Sequence, residues 1–80
     1  MAQRFLKIIL PHSHHEQALD LLRDQEGLTF WPEESAEGNF VASGLMDSGF
    51  SETIMDLFEK TFSHVDGFRL IILVAVIRLF

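Results

Sequence analysis

The sequence contains no cysteine and few basic residues. Without cysteine the chain can form neither a disulfide nor a thiolate metal site, and thiol catalysis is excluded. Six Lys and Arg stand against twelve Asp and Glu, which gives a formal net charge of -6. Non-specific nucleic-acid binding requires clustered Lys and Arg. The charge balance therefore argues against a nucleic-acid partner.

Long hydrophobic runs are also missing. The apolar stretch Leu70–Ile77 is far shorter than the roughly 20 residues of a membrane helix, and its β-branched residues favour a strand. No secretory signal is recognisable at the N-terminus. The chain stops at Phe80, which leaves two alternatives: a single domain over residues 1–80, or a piece of a longer protein. We expect a cytoplasmic location, or the cytoplasmic side of the inner membrane if the chain is longer.

Strand-like and helix-like segments alternate along the chain. The predicted strands are Arg4–Leu10, Leu28–Trp31, Phe40–Leu45 and Phe68–Ile77, and the predicted helices are Ser13–Gln25 and Phe50–Ser63. Such helices and strands each span about 20 Å, so they can pack as two layers. The order β-α-β-β-α-β with right-handed crossovers predicts a ferredoxin-like α+β sandwich. Its four-stranded antiparallel sheet has the order 4-1-3-2, with both helices on one face.

Each predicted helix has an apolar stripe, and the first also has a start signal. Ser13 and Glu16 have the spacing of a capping box, in which the Ser13 hydroxyl accepts a hydrogen bond from a backbone amide of the first turn. The stripe of the first helix is Ala18, Leu21 and Leu22. In the second helix, steps of three and four predict a buried stripe formed by Phe50, Ile54, Leu57, Phe58 and Phe62.

One face of this sheet is expected to be bare, because both helices lie on the other. Alternation in the first strand points Leu6, Ile8 and Leu10 towards the helices. The last strand is apolar on both sides, which is typical of a strand covered on both faces. A second chain, or a later segment of a longer protein, would provide the cover. We predict a homo-oligomer with the interface residues Phe5, Ile9, Ile71, Leu73, Ala75 and Ile77.

Candidate ligand-binding residues are few. His12, His14 and His15 lie at the start of the first predicted helix, but none has a histidine partner at the four-residue spacing of helical metal sites. They are weak metal candidates, and we expect no tightly bound ion and no cofactor. Trp31 is the single indole of the chain. It is predicted to pack in the core or an interface, with a ligand-facing role as the alternative.

No local motif specifies a reaction. The chain lacks a P-loop, a G-x-G-x-x-G fingerprint and the C-x-x-C pair of heavy-metal chaperones. The loop that begins at Pro11 also lacks the glycine-rich, arginine-bearing arrangement of acylphosphatases. We therefore expect a protein that is not an enzyme.

Several segments resemble a known family. They are the opening strand with Pro11, the helix segment Ala18–Leu22, the segment Phe58–Phe62 and the turn Asp66–Arg69. Together they resemble the start of an uncharacterised family of bacterial membrane proteins, domain of unknown function 389, over nearly the whole chain. The resemblance implies a soluble head preceding transmembrane helices, and it supplies no catalytic residues. The prolines that usually end the last strand in that family are absent from Val74–Arg78.

Three functions from different classes fit these features. The leading one is a non-catalytic regulatory or interaction module that self-associates through the bare face or the edge of the last strand. The second is a small-molecule sensor of the ACT or PII-like type, with its ligand near Pro11–His15 or Trp31. The third is a small dimeric α/β-barrel enzyme in which two bare faces enclose a substrate. The polarity of the space between protomers distinguishes them.

Overall fold

The computed structural model describes residues 3–33 and 37–73 of the chain. The strands are β1 (Gln3–Pro11), β2 (Leu28–Glu33), β3 (Asn39–Asp47) and β4 (Arg69–Leu73), and the helices are α1 (His15–Arg23) and α2 (Ser48–Phe62). A 3₁₀ turn, His12–His14, joins β1 to α1. The predicted order β-α-β-β-α-β is confirmed.

The four strands form one antiparallel sheet in the order β2-β3-β1-β4, which is the predicted order 4-1-3-2 read from the other edge. The central strand β1 pairs with β3 along its whole length and with β4 from Phe5 to Ile9. The edge strands are β2 and β4. The prediction of a ferredoxin-like α+β fold is therefore confirmed.

The hydrophobic core lies between the sheet and the two helices. On β1, the alternating residues Leu6, Ile8 and Leu10 are at most 1% exposed, as their strand periodicity predicts. The helices contribute their own buried residues, Ala18 and Leu22 from α1 and Ile54, Phe58 and Phe62 from α2. The sheet face towards the helices is thus filled.

The start of α1 differs from the prediction. The helix begins at His15, and neither it nor the preceding 3₁₀ turn has a side-chain capping hydrogen bond. The predicted capping box of Ser13 and Glu16 is therefore wrong. The physical reason is that the chain turns directly after Pro11. The His12 amide still donates to the carbonyl of Gly38 at 3.1 Å, and the His15 amide then donates back to the His12 carbonyl, which closes the 3₁₀ turn. Ser13 then lies within the 3₁₀ turn rather than at the N-cap position.

The buried stripe of α2 also differs at two predicted positions, Phe50 and Leu57, and Leu57 is only half-buried. The helix begins at Ser48, and its first buried residue is Ser51. Phe50 is 43% exposed, so its predicted place in the stripe is wrong; its ring lies over Gly27 instead. Residues three and four positions before Ile54 both satisfy helical spacing, so the periodicity alone does not distinguish Ser51 from Phe50.

All four strands have different ends from those predicted, and β1 is longer by one residue at each end. Strand β2 continues through Pro32 to Glu33, which an edge strand tolerates because one side of it forms no ladder. Strand β3 is longer at both ends. Strand β4 is described from Arg69 to Leu73, and the rest of its predicted range lies outside the described residues.

Candidate functional site

The face of the sheet opposite the helices, here called the open face, carries three cross-strand rows. Residues paired between antiparallel strands point to the same side of the sheet, so the registers define each row. In the order β2, β3, β1, β4, the first row is Thr29, Leu45, Phe5 and Leu73; the second is Trp31, Ser43, Lys7 and Ile71; the third is Glu33, Val41, Ile9 and Arg69.

Apolar side chains dominate the open face. Phe5 lies between Leu45 and Leu73 in the first row. Ile71 and Leu73 on the edge strand β4 are 42% and 54% exposed. The structure thus places four of the predicted interface residues, Phe5, Ile9, Ile71 and Leu73, on one surface. Their use as an interface stays a prediction.

The other two predicted interface residues, Ala75 and Ile77, lie outside the described residues. Strand β4 is described only as far as Leu73. Because Leu73 belongs to the first row, no row beyond the first can be followed across all four strands within the described residues.

Polar side chains interrupt this apolar surface in its second and third rows. Lys7 Nζ is 3.3 Å from Glu33 Oε1, and the two side chains are 33% and 37% exposed. The pair spans β3, because Lys7 lies on β1 and Glu33 on β2. Ser43 lies between Lys7 and Trp31 in the second row and is 1% exposed. Within the described part of the chain, its Oγ has no hydrogen-bond partner.

Trp31 lies on the open face rather than in the core. Its side chain is 40% exposed and is the β2 member of the second row, next to Ser43. The sequence alone leaves core packing, interface packing and ligand stacking open for this residue. The structure removes the first of these, and the ligand-facing role stays a prediction.

The three histidines are engaged in packing around the 3₁₀ turn. The rings of His12 and His15 stack with centroids 4.5 Å apart, and His15 Nδ1 lies 3.0 Å from the His12 carbonyl oxygen. The ring of His14 meets Phe62 edge-on at 6.3 Å. Across residues 3–33 and 37–73, no three His, Asp or Glu side chains come together as a metal site. The structure therefore adds no support to His12, His14 and His15 as ligands.

Sequence reasoning missed part of the open face. Val41 and Leu45 belong to it, and alternation along β3 was the signal that could have found them. The Lys7–Glu33 pair depends on two strand registers at once. No feature of the sequence alone fixes those registers for a pair so far apart in the chain.

Known structures share this fold. No family model matches the chain, and neither does any curated protein. A DUF3240 family protein from Shewanella baltica OS155 is similar with a TM-score of 0.67 and 15% identity, covering 100% of this chain and 97% of that one. A functionally unknown protein from Pediococcus pentosaceus ATCC 25745 is similar with a TM-score of 0.69 and 14% identity, covering 100% and 99%.

A third similar structure comes from a regulatory protein. It is CPII, a nitrogen regulatory PII-like protein from Thiomonas intermedia K12, bound to ADP, AMP and bicarbonate. The TM-score is 0.60 at 18% identity, covering 91% of each chain. At these identities the likeness shows the fold alone. The chain thus has an α+β fold of the ferredoxin-like, PII-like type.

The resemblance to the membrane-protein family, domain of unknown function 389, is not shown by these comparisons. One of the similar structures belongs instead to the DUF3240 family. Among the described residues, no helix has the length and apolar character needed to cross a membrane. The predicted membership of that family stays a prediction.

Proposed function

We propose that the chain is a non-catalytic regulatory module whose working form is a homo-oligomer assembled through the open face. The proposal is based on the apolar character of the open face. Phe5, Leu45 and Leu73 form a continuous apolar row, and Ile71 and Trp31 flank it from the second row. Soluble monomers rarely expose contiguous apolar surfaces of this kind without using them for binding.

The fold supports the regulatory part of the proposal. The likeness to a nitrogen regulatory PII-like protein covers nine-tenths of the chain, and the sheet order is that of a two-layer domain with one uncovered sheet face. A contiguous apolar patch on an uncovered sheet face typically marks a surface that binds another protein. Self-association provides that surface without a further partner.

Sedimentation of the unmodified chain tests the self-association. Between low and high micromolar concentration, we expect a dimer or a larger oligomer. Trp31 provides a second readout, because it is the only indole and lies on the open face. Its emission should shift to the blue, and its quenching by iodide should weaken, as the concentration rises. A clean monomer at high micromolar concentration would contradict the proposal.

A second candidate function is small-molecule sensing. The similar CPII structure is bound to ADP, AMP and bicarbonate. Trp31 offers a half-exposed ring on the open face, in the same cross-strand row as Lys7 and two strands away from it. An indole face and a cation suit a planar, anionic ligand such as an adenine nucleotide. We expect ADP or AMP to quench Trp31 emission and to give a calorimetric signal, both weakened by Lys7→Met. An absence of heat up to millimolar nucleotide would overturn this candidate.

The remaining part of the proposal concerns the setting in which the module works. On the resemblance quoted above, we infer a soluble head of a larger membrane-bound protein, on the cytoplasmic side. The full reading frame of the gene tests this inference. Transmembrane segments encoded after Phe80 would support it, and a stop codon directly after Phe80 would contradict it.

A further inference from the structure

The third row of the open face has opposite charges at its two ends. Glu33 lies on the edge strand β2 and Arg69 on the edge strand β4, with Val41 and Ile9 between them. Four neighbouring strands at about 4.8 Å spacing put the ends of the row about 14 Å apart. Glu33 also lies 3.3 Å from Lys7 of its own copy, and a second cation can share the carboxylate because it has two oxygens. The row therefore presents an acid at one edge of the face and a base at the other.

We propose that two copies of the chain pack their open faces together about a twofold axis that runs parallel to the strands between β1 and β3. This inference rests on the proposed self-association and specifies its geometry. The axis lays β2 of one copy over β4 of the other, so Glu33 meets the partner's Arg69. A closed twofold interface contains this contact twice.

The distances allow this pairing. Facing sheets pack about 10 Å apart, a gap that one Glu and one Arg side chain span together. Aligned sheets cross at about 30°. The two ends of the row lie about 7 Å from the axis, so this rotation shifts each end sideways by about 4 Å relative to the residue it faces. Arg and Glu are both long and flexible enough to cover that displacement. The contact lies at the rim, where charges select the partner and its orientation.

The same axis also matches the other two rows by size and polarity. In the first row, Phe5 faces the partner's Leu45, so apolar surface meets apolar surface. In the second row, Trp31 faces the partner's Ile71, and the long Lys7 faces the small Ser43 of the partner subunit. At the two ends of the first row, Leu73 faces the partner's Thr29, so the match in that row is apolar at its centre and mixed at its ends. The open face is therefore complementary to itself in charge along the third row and in apolar character at the centre of the first.

Charge reversal in two separate chains tests the proposal. Arg69→Glu and Glu33→Arg each place like charges at both rim contacts of their own homodimer. Each variant should therefore dissociate with a Kd about tenfold higher or more than the unmodified chain. Mixed together, the two variants regain two attractive contacts. A heterodimer with a Kd close to that of the unmodified chain should form, which native mass spectrometry identifies by mass and sedimentation equilibrium quantifies.

Matched controls use the same charge changes on the helices. Arg23 on α1 and Glu59 on α2 are exposed and belong to the opposite side of the sheet. Arg23→Glu and Glu59→Arg should leave the Kd unchanged within about twofold. Circular dichroism of all four variants verifies that each is folded. Two unfolded chains could not form the heterodimer. Its formation in the mixture therefore also excludes unfolding as the reason for the weaker homodimers.

The outcomes separate this inference from the proposed function. Recovery of the heterodimer supports the twofold pairing of Glu33 with the partner's Arg69. If the unmodified chain self-associates but the mixture does not recover, or if the oligomer is a trimer, the twofold geometry is overturned while self-association stands. If the unmodified chain is a monomer at high micromolar concentration, the proposed function fails, and the inference fails with it.

Discussion

At the scale of single residues, two buried serines differ in their hydrogen bonding. Ser43 and Ser51 are each 1% exposed. Ser51 Oγ accepts from Arg4 Nη1 at 3.1 Å and donates to the Ser48 carbonyl at 2.9 Å. Within residues 3–33 and 37–73, Ser43 Oγ has no hydrogen-bond partner. A buried hydroxyl without a partner lowers stability by about 1–3 kcal/mol. The two positions should therefore respond oppositely to loss of the hydroxyl.

We expect Ser43→Ala to raise the free energy of unfolding by about 1 kcal/mol, because it removes an unpaired buried hydroxyl and keeps the packing. Ser51→Ala, the matched control at equal burial, should lower it by about 1–2 kcal/mol, because two hydrogen bonds are lost and Arg4 keeps an unpaired donor. Urea unfolding followed by circular dichroism measures both. Equal losses in the two variants would show that Ser43 has a partner.

Gly44 lies where strand β3 closely approaches the backbone of β2. A Cβ at this position of β3 would lie 2.7 Å from the Thr29 carbonyl oxygen, and that oxygen belongs to the backbone of a paired strand. Gly44→Ala should therefore force the strands apart and lower the free energy of unfolding by about 1–3 kcal/mol. The change in the urea midpoint measures this effect.

Gly49 provides the control for that substitution. No atom lies within 4 Å of a Cβ built there, and the residue belongs to the first turn of α2. Alanine is the better helix former by roughly 0.5–1 kcal/mol, so Gly49→Ala should stabilise the protein slightly. A stable Gly44→Ala variant would contradict the close approach of β2 to β3.

At the scale of the elements, the start of α1 differs most clearly from what the sequence predicts. The structure gives Ser13 no capping hydrogen bond, since the 3₁₀ turn precedes the helix. Loss of an N-cap serine lowers stability by about 1 kcal/mol. We expect Ser13→Ala to leave the urea midpoint unchanged, with Ser51→Ala as the positive control. A loss of about 1 kcal/mol would instead support the capping box that the sequence predicts.

The order and type of the elements could be predicted because each carries its own periodicity. Leu6, Ile8 and Leu10 repeat at two, and Ile54, Phe58 and Phe62 repeat at four; each set is buried as predicted. The ends of the elements depend on contacts that are distant in sequence. The carbonyl of Gly38 accepts a hydrogen bond from the His12 amide, and the ring of Phe50 packs over Gly27. Local patterns contain no information on either contact.

The same holds for the open face: features within one strand could be predicted, and contacts between strands could not. The exposure of Ile71 and Leu73 could be predicted from alternation within β4. Glu33 lies next to Lys7 only because β2, β3 and β1 pair in particular registers, and its place opposite Arg69 in the third row depends on β4 as well. A shift of one residue in any pairing would move these charges to the other face of the sheet.

At the scale of the whole molecule, the open face should determine the state of association. Burying about 400 Å² of apolar surface on each of two chains contributes about 20 kcal/mol in total, against about 4–15 kcal/mol for lost freedom on association. The formal net charge of -6 on each chain opposes this only weakly, because physiological salt screens charges beyond about 8 Å. A stable oligomer is therefore expected.

Charged substitutions within the open face should abolish that association. Ile71→Lys and Leu73→Glu each place a charge where the proposed interface excludes water, and an unpaired buried charge is strongly unfavourable. Sedimentation at high micromolar concentration should show monomers or insoluble protein for both variants. Phe50 provides the control, since its 43% exposure matches the 42% of Ile71 while it lies at the start of α2 against Gly27. Phe50→Lys should stay oligomeric, because exposure alone does not make an interface; if Phe50→Lys dissociates and Ile71→Lys does not, the open face is not the surface that joins the chains.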